Sequence, residues 1–314
     1  MSTSFRVAAV QASPVFLDLE ATMEKAIGLI ARAAHDGAHL VVFPEAFIPA
    51  YPLWVWYIPS GQTHALRELY VRLLENAVEV PGPHITRLAE AAATHEINVV
   101  MGVNEINTEE SGSSLYNTMV YLGSDGRLLG KHRKLIPTAG ERLVWSQARS
   151  SDLDVYNMNA FKVGGLICWE NYMPLARHTL AAMGQHIHCA PTWDRGEPWI
   201  STMRHLAKES RCLTVGVCQH VRMSDIPDDL SFKSAFLPRN SDILNPGLSV
   251  IVDPDGKIVA GPAEGETILH ATITNDEIQG PRWQLDTAGH YARPDVFSLT
   301  VKTGKRPLMV ERGN

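Results

Sequence analysis

Three segments of this chain share one local shape, in which an apolar run stops and a reactive side chain follows. They are "VVFPEAF" with Glu45, "GKHRKLIPT" with Lys134 and "GLICWEN" with Cys168. A thiol is a nucleophile, a carboxylate can take and return its proton, and an ammonium can hold a developing anion. Each residue alone also has a plainer reading. A free cysteine is among the most buried residue types, a glutamate after a strand is often solvated, and "KHRK" reads as a basic turn. Strand ends are where a rigid sheet hands side chains to a cleft, so the coincidence of all three matters more than any member. If Cys168 reacts, its pKa is expected below the usual 8.5, through Lys134 and the N-terminus of a helix starting at Met173. Glu141, in "PTAGERLVW", is a second carboxylate close to the lysine, so one acid could move a proton while the other orients or returns it.

Other reactive types offer less. Cys189, Cys212 and Cys218 fall inside predicted strands or at a helix end and are expected in the core. His186 and His188 in "HIHCA" share a strand face beside Cys189, as metal ligands can, but no third ligand stands at a telling spacing. There is no GxSxG elbow, P-loop or GxGxxG following a strand. No metal and no cofactor are expected.

The elements that must position these residues come in two similar halves. In the first, "FRVAAVQA" alternates as a strand and Met23, Ala26, Ile27, Ile30, Ala33 and Ala34 keep helical spacing before Gly37. A buried strand stopping at Pro44 follows, then helices over 65–78 and 84–95, strands "INVVMGV" and "LYNTMVYLG", an "SDG" turn and strand "RLLGKHRK". The second half has strand "FKVGGLIC", a helix over 173–183, strand "HIHCA", a helix over 199–211, strand "LTVGVCQ" and the hairpin "LSVIVDPDGKIVAG". Two sheets, each with helices for one face, predict an α/β fold, a four-layer α-β-β-α sandwich forming one domain over 1–280. Residues 223–247 read as a long loop at the rim of the second half. Residues 281–314 read as a polar extension lying across a surface or a subunit partner.

The 314 residues are 45% hydrophobic and 20% charged, enough for a real core. A formal charge of −6 and a pI near 6.1 leave no broad basic field, so nucleic acid or an anionic membrane is not the expected partner and a small neutral ligand is. No apolar run approaches the roughly 18 residues of a membrane span. The opening lacks a signal-peptide pattern, and four cysteines without a CxxC pair are expected as free thiols. Cytoplasm is the expected location.

Taken together, "FPEAFIPAYP", "HRKLIPT" followed by "GER", and "GLICWENYMPLAR" resemble the nitrilase superfamily across most of the chain. The separations of 89 residues from Glu45 to Lys134 and 34 from Lys134 to Cys168 resemble that family's arrangement. "CWEN", "APTWD" and "GHYARPDVF" are similar to its true nitrilase branch rather than to amidases. The resemblance implies the α-β-β-α sandwich and hydrolysis of an organic nitrile to an acid and ammonia, with cyanide hydration or amide hydrolysis as alternatives and a non-catalytic binding module as a distant one. It implies Cys168 as nucleophile, Glu45 as proton carrier, Lys134 as anion stabiliser and Glu141 in support. Tyr51, Pro52, Trp54, Trp193 and His290 are candidate pocket groups, and the backbone N–H groups of Trp169 and Glu170 are candidate anion donors. The implied partners are a small nitrile, water and further copies of the chain. Two departures stand out: "WSQARSSD" replaces the expected glycine-rich and acidic run after Trp145, and "YNMNA" lacks a proline-glycine turn.

Overall fold

Strands whose side chains are apolar on both faces can be buried only between layers, and the two β-α repeats here form two such sheets. The structure is a computed structural model and describes residues 4–109, 111–148, 152–236 and 242–304. In the first half come β1 (Ser4–Gln11), α1 (Leu19–His35), β2 (Leu40–Val42), α2 (Thr63–Glu75), α3 (Pro83–Thr94), β3 (Asn98–Ile106), β4 (Leu115–Leu122) and β5 (Leu128–Arg133). The second half has β6 (Tyr156–Met158), β7 (Phe161–Gly165), α4 (Pro174–Ala182), β8 (Ile187–Thr192), α5 (Glu197–Ser210) and β9 (Leu213–Cys218). After these follow β10 (Val221–Arg222), β11 (Ile243–Asn245), β12 (Val250–Val252), β13 (Ile258–Ala260), β14 (Thr267–Thr274) and α6 (Asn275–Arg282).

The first sheet runs β14-β1-β2-β3-β4-β5 and the second β13-β12-β9-β8-β7-β6. In each, the three central strands, β1 to β3 and β7 to β9, are parallel, and the outer pairings are antiparallel. Alternate residues of one strand serve different layers. Val7, Ala9, Val42, Val100 and Met119 meet Phe161, Val163, Ile187 and Val215 between the sheets. Ala8, Val10, Val41, Val99 and Met101 face outward onto α1 and α3 residues such as Met23, Ile30 and Leu88. On the other side, Trp199, Met203 and Leu206 of α5 cover Ala190, Val250 and Val252. This is the expected four-layer sandwich.

Strand β14 is absent from the sequence reading, yet it pairs with β1 along its whole length, from Ser4 with Thr274 to Gln11 with Thr267. Its "TILHATIT" is only half-buried, so the apolar signal is diluted by threonine and histidine. Strand β6 was also unforeseen. Asn159, with φ 55°, makes the turn into β7, a left-handed position that asparagine tolerates, so no proline or glycine is needed there. Around the expected 223–247 loop, β11 pairs with β10 and Leu230, Phe232 and Leu244 are buried against Trp54 and Phe16, while residues 237–241 lie outside the described residues. Residues 149–151 of the "WSQARSSD" departure lie outside the described residues. Within the extension, residues 299–302 lie beside Leu135, Leu153 and the start of α4.

Candidate active site

Glu45, Lys134 and Cys168 each follow the end of a strand, β2, β5 and β7, and the sandwich brings the three together. One carboxylate oxygen each from Glu45 and Glu141 and the Cys168 sulfur lie within 4.8 Å of one another. The Lys134 ammonium sits between the acids, 2.7 Å from Glu45 Oε1 and 2.7 Å from Glu141 Oε2. All four side chains are buried. Three carboxylate or sulfur groups at this spacing could hold a cation, and here that cation is the lysine.

Backbone geometry presents them. Ala46, Ala139 and Cys168 have φ of 49°, 42° and 52°, a left-handed region that costs non-glycine residues about 1–3 kcal/mol and clusters at functional sites. Behind Glu45, β3 comes so close that a Cβ on Gly102 would collide with the Pro44 carbonyl oxygen and crowd the Ala46 nitrogen. Gly102→Ala is therefore expected to lower stability by about 1–3 kcal/mol and to displace Glu45, with activity falling more than the melting point alone explains. A thermal melt beside an activity assay checks this, and unchanged turnover would show that the Glu45 turn has slack.

Each acid has a distinct set of partners. Glu45 Oε1 accepts hydrogen bonds from Lys134 Nζ and from Asn117 Nδ2 at 2.7 Å, while Oε2 has none among the described residues. The Glu45 carbonyl accepts from Gln219 Nε2 at 2.8 Å, which ties it to the second sheet. Glu141 accepts from Tyr51 Oη at 2.8 Å and, in a capping arrangement, from the Thr138 N–H at 2.7 Å. Thr192 Oγ1, at the end of β8, donates to Cys168 Sγ at 3.3 Å.

Burial pushes the Glu45 carboxyl up to about 7; the Lys134 ammonium opposes that rise and the Glu141 charge adds to it. Burial also works against the Lys134 charge, but Glu45, the Cys168 sulfur and Glu141 outweigh it and hold the ammonium above the ordinary lysine value. The thiol departs from expectation. Burial and the Glu45 charge push Cys168 up, and Lys134 offsets this only in part. The resting sulfur is a neutral thiol, because burial outweighs a lysine that is already shared by two carboxylates.

Cys168 opens into a pocket of about 330 Å³ lined by Tyr51, Trp56, Tyr57, Glu141, Trp169, Trp193 and Arg195, among others, large enough for a small ligand. Tyr51 and Trp193 stack face to face, with centroids 4.4 Å apart. Trp169 is half-exposed at the mouth and its Nε1 donates to Asp194 Oδ2 at 2.8 Å. A larger groove along α2, about 780 Å³, is lined by His64, Arg67, Glu68, Arg72 and Glu75 among others and contains none of the four central residues.

Four expected pocket residues lie elsewhere, and the first, Pro52, is buried and is not among the lining residues. Trp54 is buried among Phe16 and Phe232, because the 3-10 turn Leu53–Trp56 points Trp56 to the pocket instead. His290 is on the exposed extension and is not among the lining residues. Glu170 is buried against His132 behind the site, and its backbone N–H is already donated to the Ile167 carbonyl at 3.1 Å. Asn117, Thr138, Thr192 and Gln219 escaped the sequence reading, although Thr192 ends a strand as the three key residues do, and Asn117 is a polar interruption in "LYNTMVY". His186 and His188 are held neutral, burial pushing both down to about 4. His188 is satisfied by Gln185 and Asn171.

Comparison with known proteins identifies the family. Residues 6–282 match the carbon-nitrogen hydrolase family. The chain is 43% identical over 313 residues to an aliphatic nitrilase of Sinorhizobium fredii (strain HH103), covering 99% of both chains. It is 41% identical to a bifunctional nitrilase/nitrile hydratase of Lupinus angustifolius, over 95% of this chain and 86% of that one. Among solved structures, Saccharomyces cerevisiae Nit3, a member of branch 10 of the nitrilase superfamily, superposes with a TM-score of 0.68 at 23% identity, covering 93% of this chain and 97% of that one. With its sandwich fold and near full-length matches, the chain belongs to the carbon-nitrogen hydrolase family, the nitrilase superfamily, and within it to the nitrilase branch.

Proposed function

We propose that the protein hydrolyses organic nitriles to carboxylic acids and ammonia, with Cys168 as nucleophile. The observation that carries this reading is the buried, unpartnered Oε2 of Glu45 in a cluster where the sulfur is a resting thiol. A buried acceptor left empty costs about 1–3 kcal/mol, and the proton it lacks is the one a neutral thiol must give up. Cys168 attacks the nitrile carbon while its proton passes through Glu45 to the nitrile nitrogen, giving a covalent thioimidate. Water, deprotonated by the same carboxylate, adds to that carbon. Lys134, with Thr192 and the Trp169 amide near the sulfur, stabilises the charge of the tetrahedral adduct. The nitrogen leaves as ammonia, and a second water cleaves the thioester to the acid and the thiol. Glu141, fixed by Tyr51 and Thr138, keeps Lys134 in place, and the proton that Glu45 takes from the attacking water passes to the departing amine.

Expulsion of the thiol rather than ammonia from the same adduct would release an amide, and one of the relatives is named for both outcomes. Purified protein with a panel of about a dozen aliphatic and aromatic nitriles, the matching amides and cyanide, scored by ammonia and amide yield, tests the assignment. Ammonia from nitriles supports it, and turnover of amides or cyanide alone overturns it. Because the ionised form of Glu45 must take the thiol proton, kcat/KM for a neutral nitrile is expected to fall as pH drops through about 7. A profile flat from pH 5 to 8 would remove Glu45 as the base.

The same reading places one catalytic domain over 1–280, with 281–314 as an extension against a partner subunit, in a cytoplasmic homo-oligomer. No described helix is long and apolar enough to cross a membrane, and all four cysteines are free. Tyr172 and Leu175 expose apolar surface at the start of α4, suited to a second copy. Light scattering measures the assembly directly.

A further inference from the structure

We propose that the buried pair Glu170 and His132 is a positioning device for this reaction, tying the strand end that delivers Lys134 to the strained turn that delivers Cys168. The inference rests on the assignment of Cys168 as nucleophile. His132 lies two residues before Lys134 on the inward face of β5, and its Nε2 is 2.9 and 3.1 Å from the two Glu170 oxygens. Glu170 Oε1 also accepts from the N–H of Leu135 at 2.6 Å, the residue just after Lys134. Its Oε2 accepts from the N–H of Ile167 at 2.7 Å, the residue just before Cys168. One carboxylate therefore grips the chain on both sides of the lysine, and on both sides of the cysteine through its own place two residues on.

The next residue completes the clamp. Asn171 Nδ2 donates to the carbonyls of Leu166 and Cys168, both at 2.8 Å, and its Oδ1 is 2.7 Å from His188 Nε2. A left-handed cysteine persists only where its surroundings over-determine it, and these bonds do so from both flanks. A carboxylate–imidazole pair kept this deep is poorly explained by stability, since well-packed apolar residues often replace buried polar pairs without loss. Its geometry explains it better: every donor it receives comes from a segment that carries a reacting group.

The test uses the full-length protein. In Glu170→Gln the new amide N–H₂ faces an N–H, so at least one of Ile167, Leu135 and His132 loses its acceptor. The expected result is a fall in kcat of about 100-fold, the penalty of misplacing a group by about 1 Å, with KM changed less than about threefold. Alkylation of Cys168 by iodoacetamide, followed by peptide mass spectrometry, is expected to slow in parallel. His132→Ala should match this loss, whereas His132→Gln keeps an N–H donor and should recover most of kcat. Met203→Ala, in the α5 layer, supplies a control that lowers the melting point without changing kcat. Unchanged kcat in Glu170→Gln and His132→Ala, or equal kcat in His132→Ala and His132→Gln, overturns the proposal. If Glu170→Gln does not fold, the two His132 variants decide. Alkylation needs no nitrile, so a wild type that turns over no nitrile would count against the nitrilase reading and leave the clamp independently measurable.

Discussion

Replacing Cys168 with alanine is expected to leave a folded protein that releases no ammonia from any nitrile, a loss on the order of 10⁶-fold in kcat if the set acts as a unit. The fold tolerates the change because the thiol is a small buried group and alanine meets the same φ of 52° with the same side-chain penalty. Circular dichroism and a thermal melt should match the wild type closely while ammonia detection stays at background. Glu45→Gln is expected to be nearly as damaging. Were a thiolate already present at rest, losing the base would matter less, but burial and the Glu45 charge hold the sulfur protonated, so its proton must move within the attacking step. Ammonia release by Cys168→Ala would remove the sulfur from the chemistry. A Glu45→Gln variant within a few-fold of wild type would show that a thiolate forms without that carboxylate.

The cluster of Glu45, Lys134 and Cys168 was legible because each follows an apolar run, and a sandwich buries such runs and leaves their ends at a shared rim. What decides the pocket was not legible, because it turns on local geometry finer than the pattern. Trp54 and Trp56 are two residues apart and would share a face on a strand. In a 3-10 turn, with about three residues per turn, they point in different directions, and Trp56 takes the pocket. Glu170 follows Cys168 closely in sequence, but the 3-10 turn Cys168–Tyr172 carries its carboxylate back toward β5. The lowered thiol pKa failed first because the sulfur is buried beside the Glu45 charge, and then because the ammonium is shared. One ammonium near one sulfur stabilises a thiolate, whereas one ammonium already bonded to two carboxylates does so only in part. Strand β14 was hidden because pairing with β1, about 260 residues away in sequence, rewards backbone hydrogen bonding more than side-chain burial.

Removal of the ammonium should affect stability as well as rate. Lys134→Met keeps the apolar stem of the side chain but leaves Glu45 and Glu141 buried side by side with no cation between them. Breaking a buried pair by deleting one partner costs about 3–5 kcal/mol, and here two acids lose the same partner. Turnover should fall by at least about 10³-fold, since the adduct loses its stabilising charge. The stability deficit carries a pH signature. Burial already holds Glu45 at about 7 in the folded protein, against an ordinary value of 4.5, and Lys134 is the largest influence opposing that rise, with the Asn117 hydrogen bond adding to it. Without the lysine the folded value climbs further. A carboxyl whose folded pKa is raised contributes stability below its unfolded pKa and loses it as pH rises through the folded one. The deficit of Lys134→Met relative to wild type should therefore be smaller near pH 5, where Glu45 is protonated, and larger near pH 8. Urea midpoints at the two pH values measure it. A deficit that does not change with pH would mean that Glu45 does not depend on the lysine for its charge, and the electrostatic account of the site would fall with it.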